Sequence, residues 1–320
     1  MFRPMLAPLN SPADTPTFFK DIIFPVLASP KLDGIRAVVK TVDVFKYDST
    51  LESVKYGSKI SVLSRKLKQL PNMFVQQRFG IEALLEMDGE LVVGEPNDPM
   101  VYNKTQSYVM SVEKDADFKF FVFDYACEDS AGEPYFRRLD VISDFINKLP
   151  KSMNVHLLEQ KHCENIDDLL EYENEQLSNG FEGIMFRNPI GHYKHNRATY
   201  RENLIYKLKR FSDNEAKIID FKERLHNTNE VEIDETGYTS RSSKSDGLIP
   251  TGMVGGFICD FNGMEIVAAP GVLTHSQLIS IWENRDRYIG KYVKFRSFGH
   301  GVKDKPRFPR VIGFRDIIID

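Results

Sequence analysis

The chain is poor in cysteine and has no long apolar segment. Its 320 residues include three cysteines, Cys127, Cys163 and Cys259, which lie far apart and form no Cys-x-x-Cys pair. This odd, scattered set excludes a disulfide framework and argues against a structural zinc site. No apolar run approaches the roughly 20 residues that span a bilayer, and the first residues lack the basic-then-apolar order of a secretion signal. We therefore expect a cytoplasmic protein with reduced thiols and no membrane contact.

An overall excess of positive charge is also lacking, because the formal net charge is −4. Binding to phosphate requires cations, but their local distribution matters more than their sum. Between Lys291 and Arg315 the only acidic residue is Asp304, and the bases are Lys291, Lys294, Arg296, Lys303, Lys305, Arg307, Arg310 and Arg315. A basic stretch of this kind is either a solvated face or a surface for nucleic acid.

Periodicity and composition predict a mixed α+β chain of two domains, 1–210 and 211–320. Residues 1–30 are rich in proline and are interpreted as an extended lead-in. Amphipathic spacing predicts helices over 71–85, 138–149, 166–177 and 277–288. Apolar and β-branched runs predict strands over 37–42, 60–64, 90–94, 119–125, 204–209, 216–221, 254–260, 264–268 and 292–295. The short strands after residue 210 suit a small barrel such as an OB-fold, with a mobile polar loop over 227–245.

A lysine that attacks phosphorus is the chemistry that the segment Lys31-Leu32-Asp33-Gly34-Ile35-Arg36 allows. Lysine ordinarily has a pKa near 10.4, so the site must favour the neutral amine. Lys207 and Lys209 alternate on a predicted strand and therefore share one face. Cations placed beside Lys31 would favour its neutral form, so we expect these three lysines at a common pocket.

Other residues supply what a nucleoside triphosphate would need. Glu90 and Glu182 each stand beside a glycine at a strand start and suit Mg²⁺, which prefers oxygen ligands. Phe123 is suited to stack on a purine, worth roughly 1–3 kcal/mol, while Arg36 and Arg65 suit ribose or phosphate oxygens. Each feature alone has a commoner explanation, such as a surface lysine, a hairpin glutamate or a core phenylalanine. The interpretation depends on their occurring together and in this order.

The ordered set of motifs resembles the covalent nucleotidyltransferase superfamily. The motifs are Lys31-Leu32-Asp33-Gly34-Ile35-Arg36, Ser64-Arg65, Asp88-Gly89-Glu90, Phe121-Val122-Phe123-Asp124, Glu182-Gly183-Ile184-Met185 and Lys207-Leu208-Lys209. Within that superfamily the chain is most similar to ATP-dependent DNA ligases of the small bacteriophage type. The resemblance covers about residues 31–209 and continues more weakly to about 315. It implies an adenylyltransferase domain with an ATP-grasp-like nucleotidyltransferase fold, built of antiparallel sheets and flanking helices, followed by an OB-fold barrel.

The resemblance also implies roles for individual residues. Lys31 is the catalytic residue that becomes adenylylated. Residues implied to contact ATP are Lys31, Arg36, Arg65, Glu90, Phe123, Lys207 and Lys209, and Glu90 and Glu182 would bind Mg²⁺ or Mn²⁺. Residues implied to contact DNA are Arg36, Arg65, Asn103, Thr105, Ser107, Lys294, Arg296, Lys305, Arg307, Arg310 and Arg315. The expected partner is nicked duplex DNA, bound by a monomer that works in the cytoplasm (the host's cytoplasm for a viral protein).

Two positions depart from the family's pattern. An Arg-x-Asp-Lys motif that orients the β- and γ-phosphates is replaced by Arg315-Asp316-Ile317-Ile318, and the residue two places before Lys31 is Ser29 instead of glutamate or glutamine. The 30 residues before Lys31 are too few for a separate DNA-binding domain, so we expect none there. Three alternatives stay open: an RNA ligase, an mRNA capping guanylyltransferase, and an inactive nucleic-acid-binding module.

Overall fold

The structure, a computed structural model, describes residues 2–9, 19, 21–47, 53–125, 127–210, 212–233, 239–300 and 305–315, with the side chains of 45–47, 53–55 and 298–300 left aside. It divides into two compact units, Met1–Lys209 and Arg210–Asp320. Sheets dominate both units and helices flank them, so the α+β class with a C-terminal OB-fold barrel is confirmed. None of the helices in the described ranges combines the length and apolar character that crossing a bilayer requires.

In the described residues the first unit holds nine strands and four α-helices. The strands are β1 (Val26–Pro30), β2 (Ile35–Tyr47), β3 (Ser53–Leu63), β4 (Met87–Val93), β5 (Phe118–Tyr125), β6 (Val155–Leu157), β7 (Lys161–Cys163), β8 (Gly183–Arg187) and β9 (Ile205–Lys209). The helices are α1 (Met73–Phe79), α2 (Val101–Val109), α3 (Tyr135–Ile146) and α4 (Ile166–Ser178).

These strands form two sheets, one of order β7-β1-β8-β9 and one of order β3-β2-β4-β5-β6. The first is antiparallel throughout, and in the second only β5 and β6 run parallel. On β5 the inward side chains Phe118, Phe120 and Val122 are buried while their neighbours are partly exposed. This alternation follows from the two-residue period of a strand and places aromatic rings in the core beneath α1 and α3.

The second unit contains β10 (Ser212–Asn227), β11 (Val231–Ile233), β12 (Thr239–Arg241), β13 (Leu248–Phe261), β14 (Met264–Ala268), α5 (His275–Glu283), β15 (Tyr292–His300) and β16 (Pro306–Phe314). Five of the strands form a sheet of order β14-β13-β10-β15-β16. Its two edges meet, since the Ala269 N–H donates to the Pro309 carbonyl at 2.8 Å and the Val311 N–H donates to the Ala269 carbonyl at 2.9 Å. The sheet therefore closes into a five-stranded barrel, as an OB-fold requires.

Most predicted strands are confirmed, although several are longer than expected. One prediction was wrong, one predicted loop contains a hairpin while its mobility stays a prediction, and one helix was not foreseen. Residues 1–30 contain β1, which is a central strand of its sheet. The polar 227–245 segment carries the hairpin of β11 and β12 in its described part, where Asn229 donates from its side chain to the Ser242 carbonyl at 2.8 Å. Helix α2 was not predicted, although its buried residues Val101, Thr105 and Val109 recur at the four-residue spacing of a helix face. All three are β-branched, which lowers their helix propensity.

Candidate active site

A cavity of about 830 Å³ lies within the first unit. Both sheets, helix α2 and the N-terminal segment contribute side chains to its wall. Of the residues predicted for an ATP site, the cavity brings together Lys31, Arg36, Arg65, Glu90, Phe123 and Lys207. These residues come from distant parts of the sequence, so the fold alone assembles them into one site.

Lys31 stands directly after β1, and its N–H donates to the Gly183 carbonyl at 2.9 Å. Two motif glycines allow the close approach of strands around it. A Cβ atom on Gly34 would lie 2.1 Å from the Leu91 carbonyl oxygen, and one on Gly183 would lie 2.2 Å from the Leu208 carbonyl oxygen. Gly183 also has a φ of 144°, which side chains rarely adopt. The glycines of both motifs are therefore needed for the backbone packing that positions Lys31.

The amine of Lys31 is bound by a carboxylate that it shares with a second lysine. Lys31 Nζ donates to Glu182 Oε2 at 2.9 Å, and Lys209 Nζ donates to the same oxygen at 2.7 Å. The three side chains keep 23 %, 19 % and 11 % of their exposure in the order Lys31, Glu182 and Lys209. Glu182 thus forms an ion-paired bridge between the two lysines.

This bridge sets the protonation of Lys31. Burial alone would lower the pKa of Lys31, but the carboxylates of Glu182, Asp33 and Glu90 outweigh it and raise the pKa above its ordinary value. Burial likewise works against the charge of Glu182, yet Lys31 and Lys209 lower its pKa to about 2. The expectation that the site favours a neutral Lys31 amine was wrong, because the carboxylates prevail over the neighbouring cations in this arrangement.

Strand β9 alternates as the sequence indicated. Tyr206 and Leu208 are buried in the core of the first sheet, while Lys207 and Lys209 are partly exposed on the opposite face. Lys207 lines the cavity, and burial together with the charges of Arg197 and Lys31 lowers its pKa. Lys207 therefore lies where a phosphate at Lys31 would meet a second amine.

Glu90, on β4, faces the cavity and lies opposite Arg36 in the neighbouring strand. Burial raises the pKa of Glu90 to about 7, although Arg36 and Lys31 act in the opposite direction. A buried carboxylate of this kind is stabilised by a bound cation. In the described ranges no group of three or more His, Cys, Asp or Glu side chains gathers as a metal cage. One or two carboxylates fit Mg²⁺, which takes its remaining ligands from phosphate and water.

Arg36 is anchored inside the protein. Its Nε and Nη2 atoms donate to the two carboxylate oxygens of Asp88 at 2.5 and 2.6 Å, and Nη2 also donates to the Met5 carbonyl at 3.3 Å. Asp88 is fully buried and accepts a further bond from the Tyr193 hydroxyl at 2.7 Å. The two-fold pairing with Asp88 fixes the Arg36 guanidinium in the cavity wall. The contact of Arg36 with ATP or DNA stays a prediction.

Two guanidinium groups lie near the Phe123 ring. Arg36 lies 4.6 Å and Arg187 lies 5.4 Å from the centre of its ring. Arg187 is itself paired with the buried Asp124, to which Arg138 Nε also donates at 2.8 Å. Asp88, Asp124 and Arg187 were not predicted as residues of the site, although the motifs quoted above contain Asp88 and Asp124. Charged residues inside apolar strands are almost never fully buried unless paired, and that rule was the available signal.

The N-terminal segment forms part of the cavity wall, which was also not foreseen. Met5, Leu6 and Ala7 line it. The Met5 N–H donates to the Tyr193 hydroxyl at 3.1 Å, and Arg197 Nη1 donates to the Ala7 carbonyl at 2.6 Å. Residues 193–198 thus hold this segment against the cavity.

The three residues of helix α2 that were predicted to contact DNA differ in their burial. Thr105 is fully buried, and its hydroxyl accepts from the Val93 N–H at 3.0 Å. The prediction that Thr105 contacts DNA was therefore wrong, because its side chain supports the core. Ser107 is exposed and accepts from Lys114 Nζ at 3.3 Å, and Asn103 is partly exposed. The cavity side of α2 instead presents Tyr102, Gln106 and Met110.

The predicted basic residues of the second unit lie on β15 and β16 or at their ends. Arg296 of β15 lies opposite Arg310 of β16 in the strand register. Arg310 and Lys294 are exposed. Arg296 forms a fork with Asp213 at 2.7 and 2.9 Å. These positions do not test whether the residues contact DNA, and the contact stays a prediction.

Three further bases of this unit make local contacts. Arg315 donates to Glu215 Oε2 at 3.1 Å, Lys305 donates to the Glu265 carbonyl at 2.5 Å, and the Arg307 guanidinium lies 5.8 Å from the Phe308 ring centre. Lys303 and residues 316–318, which hold the departure from the Arg-x-Asp-Lys pattern, lie outside the described residues.

The architecture and the lysine-bearing cavity define a two-domain nucleotidyltransferase-like protein. A family model described as "ATP dependent DNA ligase domain" matches residues 4–209, well over half of the chain. The chain therefore belongs to the ATP-dependent DNA ligase family. The DNA ligase of African swine fever virus (isolate Pig/Kenya/KEN-50/1950) is 25 % identical over 208 residues, which cover 64 % of this chain and 46 % of the viral protein. The chain thus spans about half the length of the curated relatives it matches.

Solved structures resemble the whole chain. The Chlorella virus DNA ligase–adenylate is 29 % identical, with a TM-score of 0.52 over 98 % of this chain and 100 % of that chain. A solved structure described as "DNA binding with a minimal scaffold: Structure-function analysis of Lig E DNA ligases" has a TM-score of 0.67 at 18 % identity over 98 % of this chain and 100 % of that chain. The second likeness shows the fold alone.

Proposed function

We propose that this chain is an ATP-dependent DNA ligase that seals nicks in duplex DNA through a lysyl–AMP intermediate. The observation that carries the proposal is the single cavity that gathers Lys31, Glu90, Phe123 and Lys207. The chain's membership of the ligase family supports this function, as does its likeness to a Chlorella virus protein described as a ligase–adenylate.

In the first step the neutral Lys31 amine attacks the α-phosphorus of ATP. A P–N bond forms, the bond from that phosphorus to the bridging oxygen breaks, and its electron pair leaves with pyrophosphate. The two protons that the Lys31 ammonium loses pass to solvent. Because Glu182 holds Lys31 as an ammonium, the amine must leave this ion pair before it attacks. Phe123 would stack on the adenine, and Lys207 and Lys209 would contact the α-phosphate.

The remaining steps transfer and then release AMP. An oxygen of the 5′-phosphate at the nick attacks the AMP phosphorus, and the Lys31 nitrogen leaves and takes up a proton. The 3′-hydroxyl next attacks the activated 5′-phosphate, loses its proton and expels AMP. Arg36 and Arg65 would contact the ribose or the 5′-phosphate. Catalysis would rest mainly on positioning and on compensation of phosphate charge.

Glu90 and Glu182 would hold a divalent cation, Mg²⁺ or Mn²⁺, which when bound neutralises phosphate charge. Of these two side chains, Glu182 is ion-paired with Lys31 and Lys209, whereas Glu90 already faces the cavity. Adenylylation would take place in the domain 1–210, and the OB-fold domain 211–320 would bind the duplex. In the latter, Lys294, Arg296, Lys305, Arg307, Arg310 and Arg315 would contact the DNA backbone. We propose a monomer that works in the cytoplasm, that of the host for a viral protein.

Incubation with α-labelled ATP tests the mechanism. Wild type and Lys40→Ala, a lysine of β2 that pairs with Glu86, should take up covalent label. Lys31→Ala and Lys31→Arg should take up none, and Lys31→Arg keeps a cation beside Glu182. An unlabelled wild type, or a labelled Lys31→Ala, would overturn the mechanism. Chasing the label with nicked DNA and nicked RNA duplexes separates DNA from RNA ligase, and labelling by GTP alone would indicate a guanylyltransferase.

A further inference from the structure

A tight turn after β3 presents three cations to the cavity. In this turn, 64–68, the Leu67 N–H donates to the Ser64 carbonyl and the Ser64 N–H donates to the Lys68 carbonyl, both at 2.8 Å. Leu67 adopts a φ of 59°, a left-handed conformation that costs a β-carbon-bearing residue energy and persists only where the surroundings fix it. Arg65, Lys66 and Lys68 are exposed, and all three line the cavity.

The cavity wall carries far more positive than negative charge. Among the described side chains that line it, Glu90 is the one acidic residue, against eight bases: Lys31, Arg36, Arg65, Lys66, Lys68, Arg187, Arg197 and Lys207. Buried or half-buried carboxylates outside the lining already balance three of them, since Arg36 pairs with Asp88, Arg187 with Asp124 and Lys31 with Glu182. Arg65, Lys66 and Lys68 of the 64–68 turn contribute to this excess of positive charge in the cavity wall.

The reaction proposed above makes two separate demands on these cations. The α-phosphate must meet Lys31, beside which Lys207 lies, and the departing pyrophosphate must be held elsewhere in the same cavity. The C-terminal pattern that would supply a lysine for this second task has Ile318 at that position. A lysine ammonium is a compact charge with three donors and suits phosphate oxygens.

We propose that Lys66 and Lys68 bind the β- and γ-phosphates of ATP and hold pyrophosphate as it leaves. This inference rests on the proposed function, because pyrophosphate is released only if Lys31 is adenylylated. It assigns the orientation of the leaving group to a turn of the first unit. Arg65, in the same turn, keeps its predicted contact with the ribose or the 5′-phosphate.

Pyrophosphate binding to the full chain gives the first test. Titration calorimetry would compare wild type, the double variant Lys66→Gln/Lys68→Gln and the control Lys59→Gln. Lys59 is an exposed lysine on the same strand, β3, and lies outside the cavity lining. Loss of charged donors to phosphate should weaken binding by at least about tenfold in the double variant, and the control should bind like wild type. Equal binding by all three proteins would overturn the inference.

The second test separates pyrophosphate from DNA. Isolated, labelled adenylylated protein is treated with increasing pyrophosphate, which reverses the first step, or with nicked DNA, which completes the reaction without pyrophosphate. The double variant should need at least about tenfold more pyrophosphate to lose its label and should seal nicks at the wild-type rate. If sealing slows while the pyrophosphate requirement stays unchanged, the lysines bind DNA and the inference is wrong. A wild type that takes up no label defeats the proposed function instead, and calorimetry still decides whether the turn binds pyrophosphate.

Discussion

Glu182 Oε2 lies 2.9 Å from Lys31 Nζ, and these two residues are 151 positions apart in the sequence. The contact joins the end of β1 to the start of β8 and fixes the residue that carries the proposed chemistry. It also keeps that residue protonated, since Glu182 is the strongest of the influences that raise the pKa of Lys31. In the site without ATP, Lys31 is therefore held in place but is not nucleophilic.

Removing the Glu182 charge should lower the pKa of Lys31. In Glu182→Gln the largest influence that raises this pKa is gone, and burial, which lowers it, remains. NMR titration of the lysine side chains would measure the change, with Lys31→Arg identifying the Lys31 signal. Glu86→Gln, which removes the partner of Lys40, is the matched control and should leave the Lys31 signal in place. An unchanged Lys31 pKa in Glu182→Gln would show that the ion pair does not control this amine.

Glu90→Gln should stabilise the protein at pH 8 but not at pH 4. The folded-state pKa of about 7 lies above the ordinary value of 4.5, so the unfolded chain releases this proton first. Stability is therefore lost as pH rises from about 4.5 to 7, by about 1–3 kcal/mol. Chemical unfolding across this pH range would reveal the difference. Glu95→Gln, at an exposed glutamate that pairs with Lys119, should follow the wild-type curve, and a pH-independent difference for Glu90→Gln would contradict the assignment.

Two arginine–aspartate forks of the same geometry should differ greatly in their effect on stability. Asp88→Asn leaves the buried guanidinium of Arg36 without its counter-charge, and we expect a loss of about 3–5 kcal/mol in the free energy of unfolding. Asp213→Asn removes the partner of Arg296 at the surface and should cost no more than about 1 kcal/mol. Urea unfolding of both variants provides the comparison. Losses of equal size would show that burial does not distinguish these pairs.

Gly34→Ala should disrupt the packing of β2 against β4. The new methyl group would meet the Leu91 carbonyl oxygen at 2.1 Å, and backbone must move to admit it. We expect a loss of about 3 kcal/mol, together with weaker adenylylation, because Lys31 stands three residues away. Gly57→Ala on β3 has no atom within 4 Å of its new carbon and should change stability by less than about 0.5 kcal/mol. Calorimetric melting and α-labelled ATP would report the two effects, and a harmless Gly34→Ala would refute the steric account.

The sequence predicted well whatever depends on local periodicity. Lys207 and Lys209 share a face because strand side chains alternate, and that much follows from their spacing. The α+β class and the closed barrel follow from strand lengths and composition in the same way. The family resemblance then assigned distant motif residues to one site, which periodicity could not do.

What could not be predicted depends on contacts between distant residues. The prediction for the protonation of Lys31 considered the nearby lysines alone, because the sequence does not show that Glu182 contacts Lys31. Thr105 was placed at a DNA surface because a single sequence does not show which side of α2 faces the core. The strand β1 was overlooked because its flanking prolines resemble a linker, although Val26 and Ala28 are buried among other strands.

The N-terminal part of the cavity wall sets an order of events during synthesis. Tyr193, whose hydroxyl accepts from the Met5 N–H, is translated 188 residues after Met5. A ribosome adding about 5–20 residues per second needs roughly 10–40 seconds to cover that interval. Throughout it, Met5 and Ala7 lack the partners that Tyr193 and Arg197 supply, so an emerging chain cannot finish the cavity until nearly all of the first unit has been translated.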